Sequence, residues 1–183
     1  MRTVIVSDTH GELRNLRLIY KKAIMEIDAK VFIHLGDDYD DMTAIETGEI
    51  EVIKVPGIFS SHYQDKSVPN RIIREFEEWR FLISHTKEVV PHDLKGDINP
   101  HKAMEHRKAD VLFYGHTHIP EIALVNGYIR INPGHLKSDD KRGYPPTYCV
   151  TEISCDSLDA RIYSLQSGKE MLSGKFNKTD LCL

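Results

Sequence analysis

The chain has 183 residues, 40% hydrophobic and 28% charged, the make-up of one compact globular domain rather than a disordered or fibrous protein. Its 24 Lys and Arg against 28 Asp and Glu give a formal charge of −4, with neither sign gathered into a block, so no electrostatic footprint for nucleic acid or anionic lipid is visible. The longest apolar runs, such as TVIVS and VLFY, fall far short of the roughly 20 residues that span a bilayer, and the N-terminus runs straight into a strand; a soluble, cytoplasmic protein is expected.

Along the chain, RTVIVSD is a β-branched run. Leu13, Leu16, Ile19, Tyr20, Ala23, Ile24 and Ile27 then recur at helical spacing, so a first strand feeds a first helix. KVFIHLGDD and IEVIKVPG read as second and third strands, and this alternation with helix implies parallel pairing. RIIREFEEWRFLISHT contains at least one strand ending at His85, and NPHKAMEHRKA reads as a helix opened by Asn99 with Pro100 at its first position. VLFYGHTH is a further strand, EIALVNGYIRIN a hairpin around Asn126-Gly127, and TYCVTEIS and DARIYSL alternate as antiparallel strands do. With no repeat or linker, residues 1–183 are expected to form one domain, 166–183 being an extension that is either ordered or a partly loose tail. Cys149, Cys155 and Cys182 form no C-x-x-C pair and are odd in number, which fits a reducing compartment and argues against a disulfide frame or thiolate zinc site; Cys149 is read as a core residue and Cys182 as a tail thiol.

The polar exceptions fall at strand ends: Asp8 and His10 after the first strand, Asp37 and Asp38 after the second, His85 after RFLIS, and His116 and His118 after VLFY. In a parallel α/β sheet those ends share one crevice, so residues distant in sequence converge. Each piece has a bland reading, with Asp8 a helix cap, GDD a turn, His85 a satisfied strand-end histidine and GHTH a polar loop. Their joint order decides against coincidence. Carboxylates packed together repel and raise each other's pKa, a conflict that a divalent cation removes. A mixed nitrogen and oxygen set without thiolate suits manganese, iron, nickel or zinc rather than calcium or magnesium alone. His34 lies inside a strand and reads as a packed core residue. His92, His101, His106 and His135 carry no ligand spacing and are read as surface groups or supports of the site.

Together, SDTHG, LGDD, ISHT, GHTH and NPG, in this order, resemble the calcineurin-like metallophosphoesterase superfamily, and within it the small bacterial and archaeal phosphodiesterases of the YfcE type. The likeness runs from Met1 to about Leu165. It implies an α/β four-layer sandwich, two stacked mixed β-sheets flanked by helices. It also implies two divalent metals, manganese first among them: Asp8, His10 and His118 would hold one, Asp37 would bridge both, and His85 and His116 would hold the second. The expected substrate is a phosphoester, attacked in line by a water bridging metals roughly 3.5–4 Å apart, with Asp37, His85 and His116 as the catalytic set. Asp38 would orient a metal ligand or cap the following segment, and Arg142 and His135 would meet phosphate oxygens or sit in a solvated loop. No membrane partner is expected, and a homo-oligomer stays open.

One departure bears on activity. The family pattern G-N-H/C-D after the third strand reads Gly57-Ile58-Phe59-Ser60 here. Isoleucine cannot ligate, so the second site is short of an oxygen unless Ser60, Ser61 or His62 swings in or water fills the place. Phe59 stands where a leaving-group acid is usual, so poor alkoxide leaving groups should suffer more than activated aryl esters. Thr86 in place of glycine is a milder departure. Weak phosphodiesterase activity is the expectation, and a catalytically impaired scaffold or regulatory binding protein is the alternative.

Overall fold

The computed structural model describes residues 1–45 and 48–181. The reading of Cys182 as a tail thiol lies outside the described residues. The elements are β1 (Arg2–Val6), α1 (Leu13–Met25), β2 (Val31–His34), β3 (Glu51–Lys54), β4 (Arg71–Phe76), β5 (Trp79–Ser84) and α2 (Pro100–Glu105). They continue with β6 (Val111–Phe113), β7 (Glu121–Val125), β8 (Tyr128–Asn132), β9 (Thr147–Ile153), β10 (Ser157–Ser164) and β11 (Glu170–Asn177). Short 3-10 turns at Tyr39–Ala44, Ser61–Gln64 and Lys178–Leu181 join them.

Two mixed sheets result. The first has strand order β11-β10-β9-β1-β2-β3, parallel from β1 to β3 and antiparallel from β1 through β9 and β10 to β11. The second has order β4-β5-β6-β8-β7, with β5, β6 and β8 parallel. Side chains of a strand alternate between faces, and β1 shows the use of this. Ile5 faces the second sheet and packs in one cluster with Trp79, Phe81, Ile83 and Phe113. Val4 and Val6 face outward onto Leu16, Ile19 and Ala23 of α1. On the outer face of the second sheet, Leu82 and Leu112 pack against Ala103 and Met104 of α2. Three apolar seams therefore bind four layers, helix on sheet on sheet on helix, as the resemblance implied. No helix of the described residues is long and apolar enough to cross a membrane.

Local chemistry fixes the elements. Asn99 opens α2 by accepting from the Lys102 N–H at 3.0 Å, with Pro100 at the first helical position, where its missing N–H costs nothing. Asn126 and Gly127 both take positive φ, 50° and 76°, as the two-residue hairpin between β7 and β8 requires. The segment expected to hold at least one strand before His85 is a hairpin, β4 to β5, turned on Glu77 and Glu78 at φ 48° and 66°. Within the described part of the C-terminal extension, residues 166–181, β11 pairs with β10 from Ser157↔Asn177 to Tyr163↔Glu170.

Candidate metal centre

The parallel strands of both sheets end on one crevice. β1 and β2 deliver Asp8, His10 and Asp37 from the first sheet; β5 and β6 deliver His85, His116 and His118 from the second. Asp8, His10, Asp37 and His118 each place a ligand-type atom within 4.8 Å of the others, a grouping that could hold a metal ion. His10 Nε2 lies 3.1 Å from His118 Nε2 and 3.3 Å from Asp37 Oδ2. On the other oxygen of Asp37, His85 Nε2 approaches Oδ1 to 3.4 Å. The His116 ring stands edge-on to His85 at 5.1 Å, and its backbone N–H donates to Asp8 Oδ2 at 3.0 Å.

The backbone is bent hard to achieve this. Asp8, His10, Asp37, Asp38, His116 and His118 all have φ between 44° and 64°, a left-handed conformation that non-glycine residues adopt at a cost, and one that persists where the surrounding structure over-determines it. Two glycines make room for the carboxylates. A Cβ on Gly57 would lie 2.0 Å from Asp37 Oδ1, and one on Gly115 would lie 2.7 Å from Asp8 Oδ2.

The hydrogen bonds behind the imidazoles decide what their inner nitrogens offer. His85 Nδ1 donates to the Leu35 carbonyl at 2.8 Å, which leaves Nε2 a lone pair. That nitrogen is buried, has no hydrogen-bond partner and faces the Asp37 carboxylate, so two acceptors confront each other. His118 Nδ1 donates to Asp140 Oδ2 at 2.6 Å, turning Nε2 toward Asp8 Oδ1 at 3.2 Å. That contact falls outside hydrogen-bond angles, and Asp8 Oδ1 is buried without a partner. Imidazole and carboxylate lone pairs aimed at one another call for a positive charge between them, and the residues present fit a metal. A proton drawn onto the pair answers the same need. Burial pushes the Asp8 carboxyl up, yet His118, with help from His85 and Ser7, outweighs it and holds the group at about 2. Burial likewise pushes His118 down, but Asp8 and Asp140 overrule it and raise its pKa.

Two residues that support the centre were not singled out by spacing. Asp140 is buried, and its carboxyl sits well below the usual range because the Arg142 N–H and His118 together outweigh burial. The sequence around it, KSDDKR, reads as a solvated charged loop and gives no local signal. His135, read as a surface or supporting group and a phosphate contact or loop residue, is fully buried with its ring 5.3 Å from that of His118, so the surface and solvated-loop readings are wrong. The reason is chain geometry. Leu136 N–H bonds the Asp8 carbonyl and Asn15 holds the Leu136 carbonyl, which draws residue 135 under the crevice. Arg142, the other candidate of that loop, is exposed and sits 3.4 Å from both Asp140 oxygens.

At the departures from the family pattern, Ile58 is buried and Phe59 is 79% exposed, edge-on to His92 at 5.9 Å. Ser60 Oγ accepts from the His62 N–H at 3.2 Å, and His62 Nε2 contacts Asp40 Oδ1 at 2.9 Å, so both are engaged elsewhere than as a replacement for the missing oxygen. Asp38 makes no side-chain cap for the turn that follows it. Thr86 accepts from Arg71 Nη2 at 3.1 Å, and that buried guanidinium grips Asp93 through two bonds of 2.9 Å, anchoring the loop after His85. His34 is buried and neutral, accepting from the Gly36 N–H through Nδ1 and facing Thr9 Oγ1 at 3.2 Å.

This fold and crevice have counterparts among known proteins. Residues 1–156 match the calcineurin-like phosphoesterase superfamily domain, and the chain belongs to that family. It is 27% identical over 172 residues to the probable metallophosphoesterase YsnB of Bacillus subtilis, covering 93% of this chain and 95% of that protein. Its fold is shared with YfcE, a phosphoesterase from E. coli, at a TM-score of 0.70 and 22% identity over 95% and 98% of the two chains. Vacuolar Protein Sorting 29 from Cryptosporidium parvum shares it too, at a TM-score of 0.69 and 18% identity over 97% and 98%.

Proposed function

We propose that the chain is a metal-dependent phosphoesterase acting on phosphodiesters, with one well-formed and one weakened metal site. The observation that carries this reading is the pair of buried, unpartnered acceptors, Asp8 Oδ1 and His85 Nε2, on either side of Asp37. Asp8, His10, Asp37 and His118 would hold the first ion; Asp37, His85 and His116 would hold the second. Divalent ions there, manganese first and iron, nickel or zinc as alternatives, would polarise the phosphate and lower the pKa of a water.

The chain's own residues supply placement. Leu35 fixes the tautomer of His85 and Asp140 that of His118, so both imidazoles present a lone pair without reorganisation. Burial, reinforced by His85, lowers the pKa of His116; it is neutral near pH 7, suited to ligation and not to protonating a leaving group. Ile58 offers the second site no donor and Phe59 offers the departing oxygen no proton, so esters with a good leaving group are favoured. The free thiols of Cys149 and Cys155 fit a reducing, cytoplasmic setting.

With Mn²⁺ added, turnover of bis(p-nitrophenyl) phosphate should clearly exceed that of an Asp37→Asn control, and equal rates would remove the reading. A second reading, a scaffold with one metal, is favoured by Ile58 and by the fold shared with a vacuolar sorting protein. Close to two metal equivalents per chain with turnover supports the enzyme, one tight equivalent and silence the scaffold. A large gain in Ile58→Asn would locate the defect at that ligand.

A further inference from the structure

The cleft beside the centre carries a statement about substrate, which rests on the phosphoesterase reading above. A space of about 490 Å³ opens over His10 and Asp37 and continues past Asp38, Tyr39, Asp40, Asp41 and Phe59. Asp37 joins it to the centre, since its Oδ1 lies 3.4 Å from the buried, unpartnered Nε2 of His85. A site for anionic esters usually meets them with arginine or lysine. Among the described residues none lines this cleft.

Its walls are instead acidic and aromatic. Asp38 and Asp41 form no ion pair among the described residues; Asp41 accepts from the Gly11 N–H at 2.9 Å, and Asp40 contacts the imidazole of His62 at 2.9 Å and feels the Lys54 ammonium more remotely. Lys54 Nζ already stands 3.7 Å above the Tyr39 ring, so that aromatic has its cation. Phe59 does not, although 79% exposed. The basic side chains tied to the centre, Lys137 and Arg142, contact Asp140 on the Nδ1 side of the His118 ring, away from the edge that faces His10. The charge around the crevice is thus polarised.

We propose that the preferred phosphodiester has a cationic alcohol, an ammonium group two carbons from the ester oxygen. Its phosphate lies at the centre and its ammonium lies among Asp38, Asp40 and Asp41 against the face of Phe59. A second phosphate in the same position would meet three carboxylates and be repelled; a neutral group would gain nothing from them.

The test uses the Mn²⁺-loaded full chain and two esters that differ in one atom, p-nitrophenyl phosphocholine and 3,3-dimethylbutyl p-nitrophenyl phosphate. At low salt kcat/KM should favour the choline ester about 10-fold, the ratio shrinking at high salt and approaching one in Asp38→Asn/Asp40→Asn, with a partial loss in Phe59→Ala. A wild-type ratio near one, or a ratio indifferent to those substitutions, overturns the proposal. If neither ester turns over above the Asp37→Asn control, the phosphoesterase reading fails, and calorimetry with phosphocholine and 3,3-dimethylbutyl phosphate reads the preference by itself. Tighter phosphocholine then supports it and equal affinity ends it. Release of phosphocholine or choline from glycerophosphocholine, against phosphatidylcholine vesicles, separates a free ester from a lipid headgroup as the source.

Discussion

A single carboxylate far from the motifs sets the geometry of one crevice histidine, His118. Asp140 holds His118 Nδ1 at 2.6 Å and is itself steadied by the Arg142 backbone N–H at 2.9 Å, so the imidazole cannot flip or change tautomer without breaking a buried, charge-assisted bond. Asp140→Asn keeps the shape and removes the charge. Mn²⁺ affinity measured by calorimetry should fall roughly 10- to 100-fold, beyond the modest drop in melting temperature of the metal-free protein that the lost charge-assisted bond causes. An unchanged affinity would assign Asp140 to loop structure alone. The residues lining the crevice were legible in the sequence because they recur together after hydrophobic runs, a joint order that caps and turns explain only piece by piece. Asp140 was not, and His135 was read only as one of several possible supports, because their proximity depends on backbone contacts between residues 8, 15 and 136 that no local pattern encodes.

At the scale of elements, the readable boundaries were those with their own chemistry. Asn99-Pro100 and Asn126-Gly127 announce a helix start and a hairpin because cap and turn conformations select those residues. The β4–β5 hairpin turns on two glutamates that left-handed geometry does not favour, which is why the sequence establishes at least one strand there without marking the turn between two. β11 was equally hidden, its apolar side chains lacking a steady alternation, and it is held by pairing with β10 and by a close approach to the other sheet at Gly174. There a Cβ would stand 2.7 Å from Ile122 Cγ2 and 2.9 Å from Phe176. Gly174→Val should therefore lower stability by about 1–3 kcal/mol in urea unfolding, with metal affinity unaffected, since the clash is remote from β1, β2, β5 and β6. A variant as stable as the wild type would show that β11 is not clamped there.

For the molecule as a whole, acid is the expected enemy, and His34 shows why. Burial brings its pKa from 6.5 down to about 3 despite the pull of Asp8, so the folded chain refuses a proton that the unfolded chain accepts. Unfolding then takes up a proton, and stability falls as pH drops from 6.5 toward 3, by up to about 1.4 kcal/mol per pH unit for this one group. In metal-free protein the urea midpoint should decline across that window, and His34→Gln should decline less steeply; parallel profiles would clear His34 of the effect. β1 lies at the heart of its sheet, flanked by β2 and by β9, with the Met1 ammonium bonded to the Ile153 carbonyl at 2.5 Å. β1 is made well before β9 and thus waits for residues some 150 positions on before its second edge is covered. Until residues near 150 emerge, Asp8 and His10 belong to an unfinished sheet, and any ion held by the growing chain is held without the support of the closed fold.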